Sequence, residues 1–289
     1  MAPWKRWLLE LYYLGSLPWR RRAAAQWEAA ARSPVMILFF HRVADGPTNP
    51  WTCSRRDFAR SIAWIKAHCD VVSLAEAQRR IADGVNRRPA VAITFDDGYA
   101  ENMDFALPHL VRQNVPCTYF VASKFVLEQQ PFPHDRALGA PLRPNTVEQL
   151  RQIADWGIDV GAHTRTHADL GAIQDEGQLY NEVVGSAEDL ADLLGRPIRY
   201  FAFPYGRWNN LNPRVFELAR EAGFAGVCSA YGGYNFPGED AFHLQRIHGD
   251  AELVRLKNWL TVDPRKLHLP RYDYASRRVE VRQTGAVSE

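Results

Sequence analysis

The stretch VAITFDDGYAEN, residues 91–102, places two adjacent carboxylates at the end of an apolar run. Val91, Ile93 and Phe95 are typical of a strand that is buried in a parallel sheet. Burying a charge is costly unless a partner compensates for it, so such a strand is not expected to end on Asp96 and Asp97 alone. The sequence therefore suggests that a metal ion binds at this strand end.

Similar apolar runs alternate with helical patterns from residue 34 onward. The strand-like runs are VMILFF (35–40), AVAITF (90–95), CTYFVAS (117–123), GIDVGAH (157–163), YFAFPYG (200–206), FAGVCSA (224–230) and FHLQRI (242–247). Helices are predicted near residues 146–155, 175–194, 212–222 and 250–260. This alternation predicts an α/β fold with a parallel sheet and outer helices, either closed as a barrel or open.

Ligands of such folds bind at the C-terminal ends of the strands, where Asp96, Asp97 and His163 are expected to meet. In HTRTH (163–167), His163 and His167 are four residues apart, which on a helical turn would place both imidazoles on one face. Together with one aspartate they supply two nitrogens and one oxygen. Such a set leaves positions open for water and substrate, as catalytic metal sites do.

The segments TFDDGY (94–99), HTRTH (163–167) and FAFPYG (201–206) resemble, in this order, the first three motifs of the polysaccharide deacetylases of carbohydrate esterase family 4, the NodB-homology group. The resemblance covers approximately residues 34–260. It implies a distorted (β/α) barrel that removes acetyl groups from sugars with a divalent ion. It also implies that Asp97, His163 and His167 bind the metal and that Asp96 is the catalytic base.

The third motif departs from the family pattern. Its common form has an arginine two residues before the proline, paired with the base, whereas this chain has Ala202. Arg246, in LQRIHGD, is the candidate replacement, and a surface or structural ion pair is the alternative interpretation. Tyr205 is expected to offer a backbone N–H to the developing oxyanion, although Pro-Tyr-Gly is also a common turn sequence.

The general acid implied by the resemblance is a histidine, and two candidates are present. His248, in RIHGD, matches the late family motif poorly. MILFFHRV resembles the first strand of the rearranged subgroup that deacetylates poly-N-acetylglucosamine, in which the acid precedes TFDD. His41 is therefore the preferred acid, and a core or capping histidine is the alternative. Residues 131–135 and 229–236 are expected either to shape the sugar cleft or to pack.

The N-terminal segment is basic and aromatic. Its apolar part is interrupted by Glu10 and followed by three arginines, so it is too short and too charged to span a membrane and matches a signal peptide poorly. An amphipathic helix that contacts a membrane through residues 1–22, and a helix that packs on the domain, both fit. A cytoplasmic or membrane-peripheral location is favoured, and an atypical signal peptide that ends near Ala31 is the alternative.

The domain organisation predicted from these features has three parts. Residues 1–33 form the appendage, residues 34–270 form the deacetylase domain, and residues 271–289 form a C-terminal tail. With 289 residues, of which 46% are hydrophobic, the chain can bury one large core. The formal net charge of +2 gives no reason to expect a nucleic-acid partner, and the four scattered cysteines predict buried thiols.

Taken together, the sequence predicts a metal-dependent hydrolase that removes N-acetyl groups from a sugar in a polysaccharide, an oligosaccharide or a glycolipid. Zn²⁺ is the first candidate metal, and Co²⁺, Ni²⁺ and Fe²⁺ are alternatives. A non-catalytic glycan-binding member is a second hypothesis, suggested by Ala202. A non-haem Fe(II) oxygenase uses the same ligand types but has no use for a second adjacent carboxylate.

Overall fold

The computed structural model of the protein describes residues 3–249 and 252–276. Residues 1–2 of the expected appendage and residues 277–289 of the expected tail lie outside the described residues. The strands are β1 Val35–Phe40, β2 Arg42–Val43, β3 Thr52–Cys53, β4 Asp70–Val71, β5 Ala90–Phe95, β6 Cys117–Val121, β7 Asp159–Ala162, β8 Tyr200–Ala202, β9 Gly226–Cys228, β10 His243–Leu244 and β11 Arg246–His248. The helices are α1 Pro3–Ala29, α2 Arg55–His68, α3 Leu74–Ala82, α4 Ala106–Arg112, α5 Ser123–Glu128, α6 Pro133–Ala137, α7 Val147–Asp155, α8 Glu176–Leu194, α9 Pro213–Glu221 and α10 Leu253–Leu260.

The main sheet is parallel and has the strand order β10-β9-β8-β7-β6-β5-β1-β11, with β4 paired to β5. Strands β10 and β11 are two pieces of one segment, interrupted at Gln245, where a single strand was expected. The first piece pairs with β9 and the second with β1, so the segment joins the two edges of the sheet. The sheet is thereby nearly closed, which confirms the predicted distorted (β/α) barrel with parallel strands and outer helices.

Two apolar layers hold the barrel together. Every residue of β1 and β5 is buried, because helices cover the outside and side chains fill the inside. Val35, Ile37 and Phe120 belong to an inner cluster, whereas the alternate residues of the same strands pack against α2, α4, α7 and α8. Gly161 of β7 leaves room for this filling, because a Cβ there would lie 2.4 Å from the Phe120 ring.

Helix α1 packs on the body of the protein. The buried guanidinium of Arg20 donates hydrogen bonds to the carbonyl oxygens of Asn258 (2.6 Å) and Val262 (3.0 Å). The hydroxyl of Tyr12 donates to the carboxylate of Asp263 at 2.7 Å. Among the helices of residues 3–249 and 252–276, none is both long enough and apolar enough to cross a bilayer. Contact of this helix with a membrane surface stays a prediction.

The last described residues also lie against the domain. The Tyr272 hydroxyl donates to the carbonyl oxygen of Leu211 at 3.2 Å, and the Tyr274 ring stacks on Phe216 at 4.3 Å. The division of the chain into three parts stays a prediction. The four cysteines are buried and free, as predicted.

Candidate active site

The side chains of Asp96 and Asp97 serve two different clusters, although the residues are adjacent. The Asp96 backbone N–H donates to the carbonyl oxygen of Phe40 at 2.8 Å, so β5 stays paired with β1 up to this residue. Asp97 then has a φ of 75° and Gly98 a φ of 91°, both in the left-handed region. This reversal directs Asp97 away from Asp96, and it costs about 1–2 kcal/mol at a residue that is not glycine.

Asp96 forms a buried bidentate ion pair with Arg246 of β11. The guanidinium nitrogens of Arg246 lie 2.6 and 2.9 Å from the two carboxylate oxygens. Arg246 also donates to the hydroxyl of Thr94 and to the carbonyl oxygen of Ser229. An arginine from the strand that joins the sheet edges thus pairs with Asp96, as expected for the replacement of the arginine that the third motif lacks. The catalytic role of the pair stays a prediction.

This pair sets the ionisation of Asp96. Burial alone raises the pKa of a carboxyl group. At Asp96 the charge of Arg246, together with smaller contributions from His163 and the Arg246 hydrogen bonds, outweighs the effect of burial, so the pKa is lowered. Asp96 is therefore a carboxylate at neutral pH even though the side chain is almost fully buried.

Asp97, His163 and His167 form a compact cluster with the spacing that a metal ion requires. Oδ1 of Asp97 lies 3.5 Å from Nε2 of His163 and 3.3 Å from Nε2 of His167. The three candidate ligand atoms all lie within 4.8 Å of one another. Ligand atoms about 2.1 Å from a tetrahedral zinc ion are about 3.4 Å apart, which these contacts match.

The hydrogen bonds around the cluster also fit a metal. Oδ1 of Asp97 is buried and has no hydrogen-bond partner within the described residues. Its contacts with the two imidazoles are longer than charge-assisted hydrogen bonds. Nδ1 of His163 lies 2.8 Å from the carbonyl oxygen of Ala202, so it can donate to that oxygen and leave the lone pair of Nε2 free to bind a cation.

The loop that carries the two histidines is not the helical turn expected from their spacing. Residues 163–167 have no helical structure, and both Thr164 (φ 62°) and His167 (φ 57°) are left-handed. The loop brings the imidazoles together by folding back instead. Asp97, Thr164, His167 and Tyr205 account for four of the eight non-glycine residues with positive φ in the described chain, so backbone strain is concentrated at this site.

Helix α8 holds this loop from behind. The buried carboxylate of Glu182 accepts hydrogen bonds from the backbone N–H (2.9 Å) and the hydroxyl (2.8 Å) of Thr166. Arg165 forms a bidentate pair with Asp189 at 2.6 and 2.7 Å. Glu182 is not among the site residues predicted from the sequence. An acid on a helix face that otherwise buries apolar residues is the signal that could have revealed it.

His41 and His248 line the same cavity, and their ring centroids are 5.9 Å apart. Asn102 fixes the chain at His41 by donating to its carbonyl oxygen at 2.7 Å. Nδ1 of His41 is buried without a hydrogen-bond partner within residues 3–249 and 252–276. Burial lowers the pKa of His41 to about 4, although the nearby carboxylates partly oppose this effect. Both histidines remain candidates for the general acid.

The predicted site residues meet at a cavity of about 500 Å³, a size common for ligand sites. Asp96, Asp97, His41, His163, His167, Tyr205 and His248 all line it. Tyr205 is exposed, and its ring lies 5.0 Å from that of His167. Arg246 lies behind Asp96, outside the set of lining residues.

The two segments expected to shape the cleft behave differently. His134, from residues 131–135, lines the cavity and lies beside Trp51, which the sequence analysis missed. From residues 229–236, Ala230 lines the cavity, whereas Tyr231 packs on Trp208 and His243. The loop between β2 and β3 brings Trp51 to the cavity, and no local motif indicated that.

We expect Glu182→Ala to weaken Zn²⁺ binding by about 10–100-fold, because the loop that carries both histidines loses its support from α8. Titration calorimetry of the metal-free protein measures this effect. Glu188→Ala, on the exposed side of the same helix, is the matched control and should leave the affinity unchanged. Equal affinities for the two variants would show that α8 does not support the ligand loop.

Comparisons with known proteins agree with this geometry. The chain is 25% identical over 200 residues to YxkH of Bacillus subtilis (strain 168), which is named as a candidate polysaccharide deacetylase. The matched region is 68% of this chain and 64% of YxkH, so the chain spans less than two thirds of that relative's length.

Two solved structures share the fold. IcaB from Ammonifex degensii has a TM-score of 0.67 at 24% identity, with 80% of this chain and 98% of IcaB covered. The Streptococcus pyogenes deacetylase PplD, solved in complex with acetate, has a TM-score of 0.64 at 18% identity, with 80% and 99% covered. The family model described as polysaccharide deacetylase matches residues 83–227, which is half of the chain. The chain therefore belongs to the polysaccharide deacetylase family.

Proposed function

We propose that the protein is a metal-dependent deacetylase that hydrolyses the N-acetyl group of a sugar unit in a polysaccharide, an oligosaccharide or a glycolipid. The observation that carries this proposal is the buried Asp96–Arg246 pair directly beside the cluster of Asp97, His163 and His167. The guanidinium of Arg246 compensates for the charge of Asp96, whereas Asp97 lies in a cluster that could hold a cation. Adjacent acids with such different partners suit a hydrolase that separates metal binding from proton transfer.

The donor set of two imidazoles and one carboxylate suits Zn²⁺, and Co²⁺, Ni²⁺ or Fe²⁺ would also fit it. When bound, such an ion polarises a carbonyl oxygen and lowers the pKa of a coordinated water. Asp97, His163 and His167 are the residues that would hold the ion.

Asp96 is proposed as the general base. Its lowered pKa keeps it ionised at neutral pH, and Arg246 fixes both of its oxygens. The carboxylate borders the cavity, so it can accept a proton from the attacking water while Arg246 holds its position. Arg246 acts through Asp96 and is therefore a positioning residue.

The remaining proton transfer belongs to a histidine. An imidazole must protonate the nitrogen as the carbon–nitrogen bond breaks, and His41 is preferred over His248. Because burial lowers the pKa of His41 to about 4, its imidazole is neutral at neutral pH, and it can protonate the amine only after it receives the proton that Asp96 has taken from the water. Asp96 takes one proton from water and the histidine returns one to the amine, so protons balance over the cycle. The backbone N–H of Tyr205 is proposed to donate to the oxyanion.

The cavity wall suits a sugar. Trp51, His134 and Tyr205 offer ring faces beside the polar cluster, and sugars bind to such mixed surfaces. Poly-N-acetylglucosamine is the substrate suggested by the MILFFHRV strand. The glycan-binding hypothesis is weakened because Arg246 supplies the guanidinium that Ala202 cannot. Family membership also favours hydrolysis over the oxygenase hypothesis.

We expect the zinc-loaded protein to release acetate from N-acetylglucosamine oligomers, and a chelator to abolish the release because Asp97, His163 and His167 then hold no ion. Enzymatic acetate quantification measures this, with O-acetylated glycans and lipid-linked sugars as further substrates. Asp97→Asn, with its fold verified by circular dichroism, should behave like the chelated protein. Sugar binding without acetate release from the metal-loaded protein would favour the glycan-binding hypothesis instead.

Replacing Arg246 with Ala should lower turnover by at least about 100-fold and leave the zinc content unchanged, because Arg246 contacts the base and not the metal ligands. The pH dependence provides a second test. With Arg246 present the pKa of Asp96 is lowered, and without it burial dominates and raises the pKa. The acidic limb of the rate profile should therefore move to higher pH.

Arg246→Lys should move the acidic limb part of the way back to lower pH, since it returns a positive charge near Asp96. Arg20→Ala is the matched control, because it also removes a buried guanidinium but lies on α1. An acidic limb that stays in place in Arg246→Ala would contradict the proposed role of Arg246.

We expect His41→Ala to lower the hydrolysis of the sugar amide by at least about 100-fold while hydrolysis of 4-nitrophenyl acetate changes little. An activated ester has a good leaving group and needs no proton, whereas an amine leaves only when it is protonated. Steady-state rates on both substrates measure the difference, and His248→Ala is the matched variant. The same selective loss in His248→Ala, and not in His41→Ala, would assign the acid to His248.

A further inference from the structure

Helix α1 has two apolar faces, of which the domain covers one. Tyr12, Tyr13 and Leu17 on the inner face are partly buried, and Arg20 and Ala23 are buried. The spacing of three and four residues places these side chains along one side of the helix.

The opposite face is apolar and uncovered. It carries a stripe of large exposed side chains, and Trp7 (67% exposed), Trp4 (61%) and Leu14 (59%) are the most exposed of them. The outer stripe consists of Trp4, Trp7, Leu8, Leu11, Leu14 and Trp19. At 1.5 Å per residue, it extends about 22 Å along the helix. An exposed apolar patch of this kind marks an interaction surface.

The charges beside the outer stripe are mostly positive. Arg21 and Arg22 follow its end and Lys5 flanks its beginning, whereas Arg6 lies on the opposite side of the helix, and all four are exposed. Glu10 is the one acid among residues 3–27, and Arg6 pairs with it at 3.1 Å. The partner must therefore be apolar along its middle and negatively charged at its edges.

We propose that the outer stripe docks the protein on an anionic lipid surface, with α1 lying in the plane of the interface. Tryptophan prefers the boundary between headgroups and acyl chains, leucine enters the acyl region, and arginine attracts anionic headgroups. The hydrogen bonds of Arg20 and Tyr12 fix the inner face to the domain. The helix is therefore held against the domain, and its outer stripe is left to face the lipid surface.

A second copy of the chain fits this surface less well. In a two-fold pairing of α1 helices through the stripe, Arg22, which lies on the stripe side of the helix, and the neighbouring Arg21 would enter the interface from both copies. The single acid within the stripe region could not compensate for these cations. A lipid surface that contains acidic headgroups compensates for all of them.

Flotation of the protein with vesicles tests this proposal. We expect binding to vesicles of phosphatidylcholine and phosphatidylglycerol in equal amounts, and much weaker binding to phosphatidylcholine alone. The triple variant Trp7→Gln, Leu11→Gln, Leu14→Gln should lose more than about 100-fold in affinity, because each side chain contributes apolar burial. Arg21→Gln with Arg22→Gln should lose about 25-fold on the anionic vesicles.

The matched control is Val85→Gln, Val111→Gln, Leu127→Gln, which removes exposed apolar side chains from other parts of the surface. It should bind vesicles as the wild type does. Acetate release from a soluble oligomer should be the same for the wild type and both triple variants, so failure of the docking proposal is separable from failure of the proposed function.

Three results would overturn the proposal. The first is a wild-type protein that floats with neither vesicle. The second is an equal loss of binding in the outer-stripe variant and the control. The third is a dimer, observed by light scattering, that dissociates in the outer-stripe variant while vesicles bind neither form. That last result would assign the stripe to a second copy of the chain.

Discussion

The ion pair between Asp96 and Arg246 is the contact on which the rest of the site depends. Removing a carboxylate and a guanidinium from water is costly, and the bidentate geometry with the extra partners Thr94 and Ser229 offsets that cost. The pair forms only when β11 lies beside β1, because Arg246 begins β11 and Asp96 follows β5 on the other side of β1. Barrel closure and the ionisation of Asp96 are thus coupled.

This coupling explains how two neighbouring acids come to have different surroundings. Asp96 faces Arg246, and the left-handed turn at Asp97 directs the second carboxylate to the two imidazoles. The histidine loop is fixed from behind by Glu182 and Asp189 of α8. The two histidines proposed to bind the metal therefore rest on the outer helical layer, and the proposed base rests on the barrel interior. The strained residues lie where these two supports meet.

Much of this arrangement could be predicted from the sequence. Apolar runs indicate buried strands, and polar residues at strand ends meet because parallel strands end at the same edge. The turn geometry of residues 163–167 could not be predicted, since a spacing of four fits both a helix and a folded loop. The interruption of the last strand at Gln245 could not be predicted either, because it arises where the segment leaves β9 and pairs with β1. Trp51 and Glu182 contact residues that are distant in the sequence, namely His134 and Thr166, and no local sequence pattern predicts such contacts.

X-ray absorption spectroscopy of the zinc-loaded protein tests the central claim most directly, because it reports the ligands around the ion. We expect a zinc environment of two imidazoles and oxygen donors in the wild type, and the same environment in Asp96→Asn. Asp97→Asn should alter that environment or lose the metal. A zinc environment that changes in Asp96→Asn as much as in Asp97→Asn would contradict the separation of base and metal ligand.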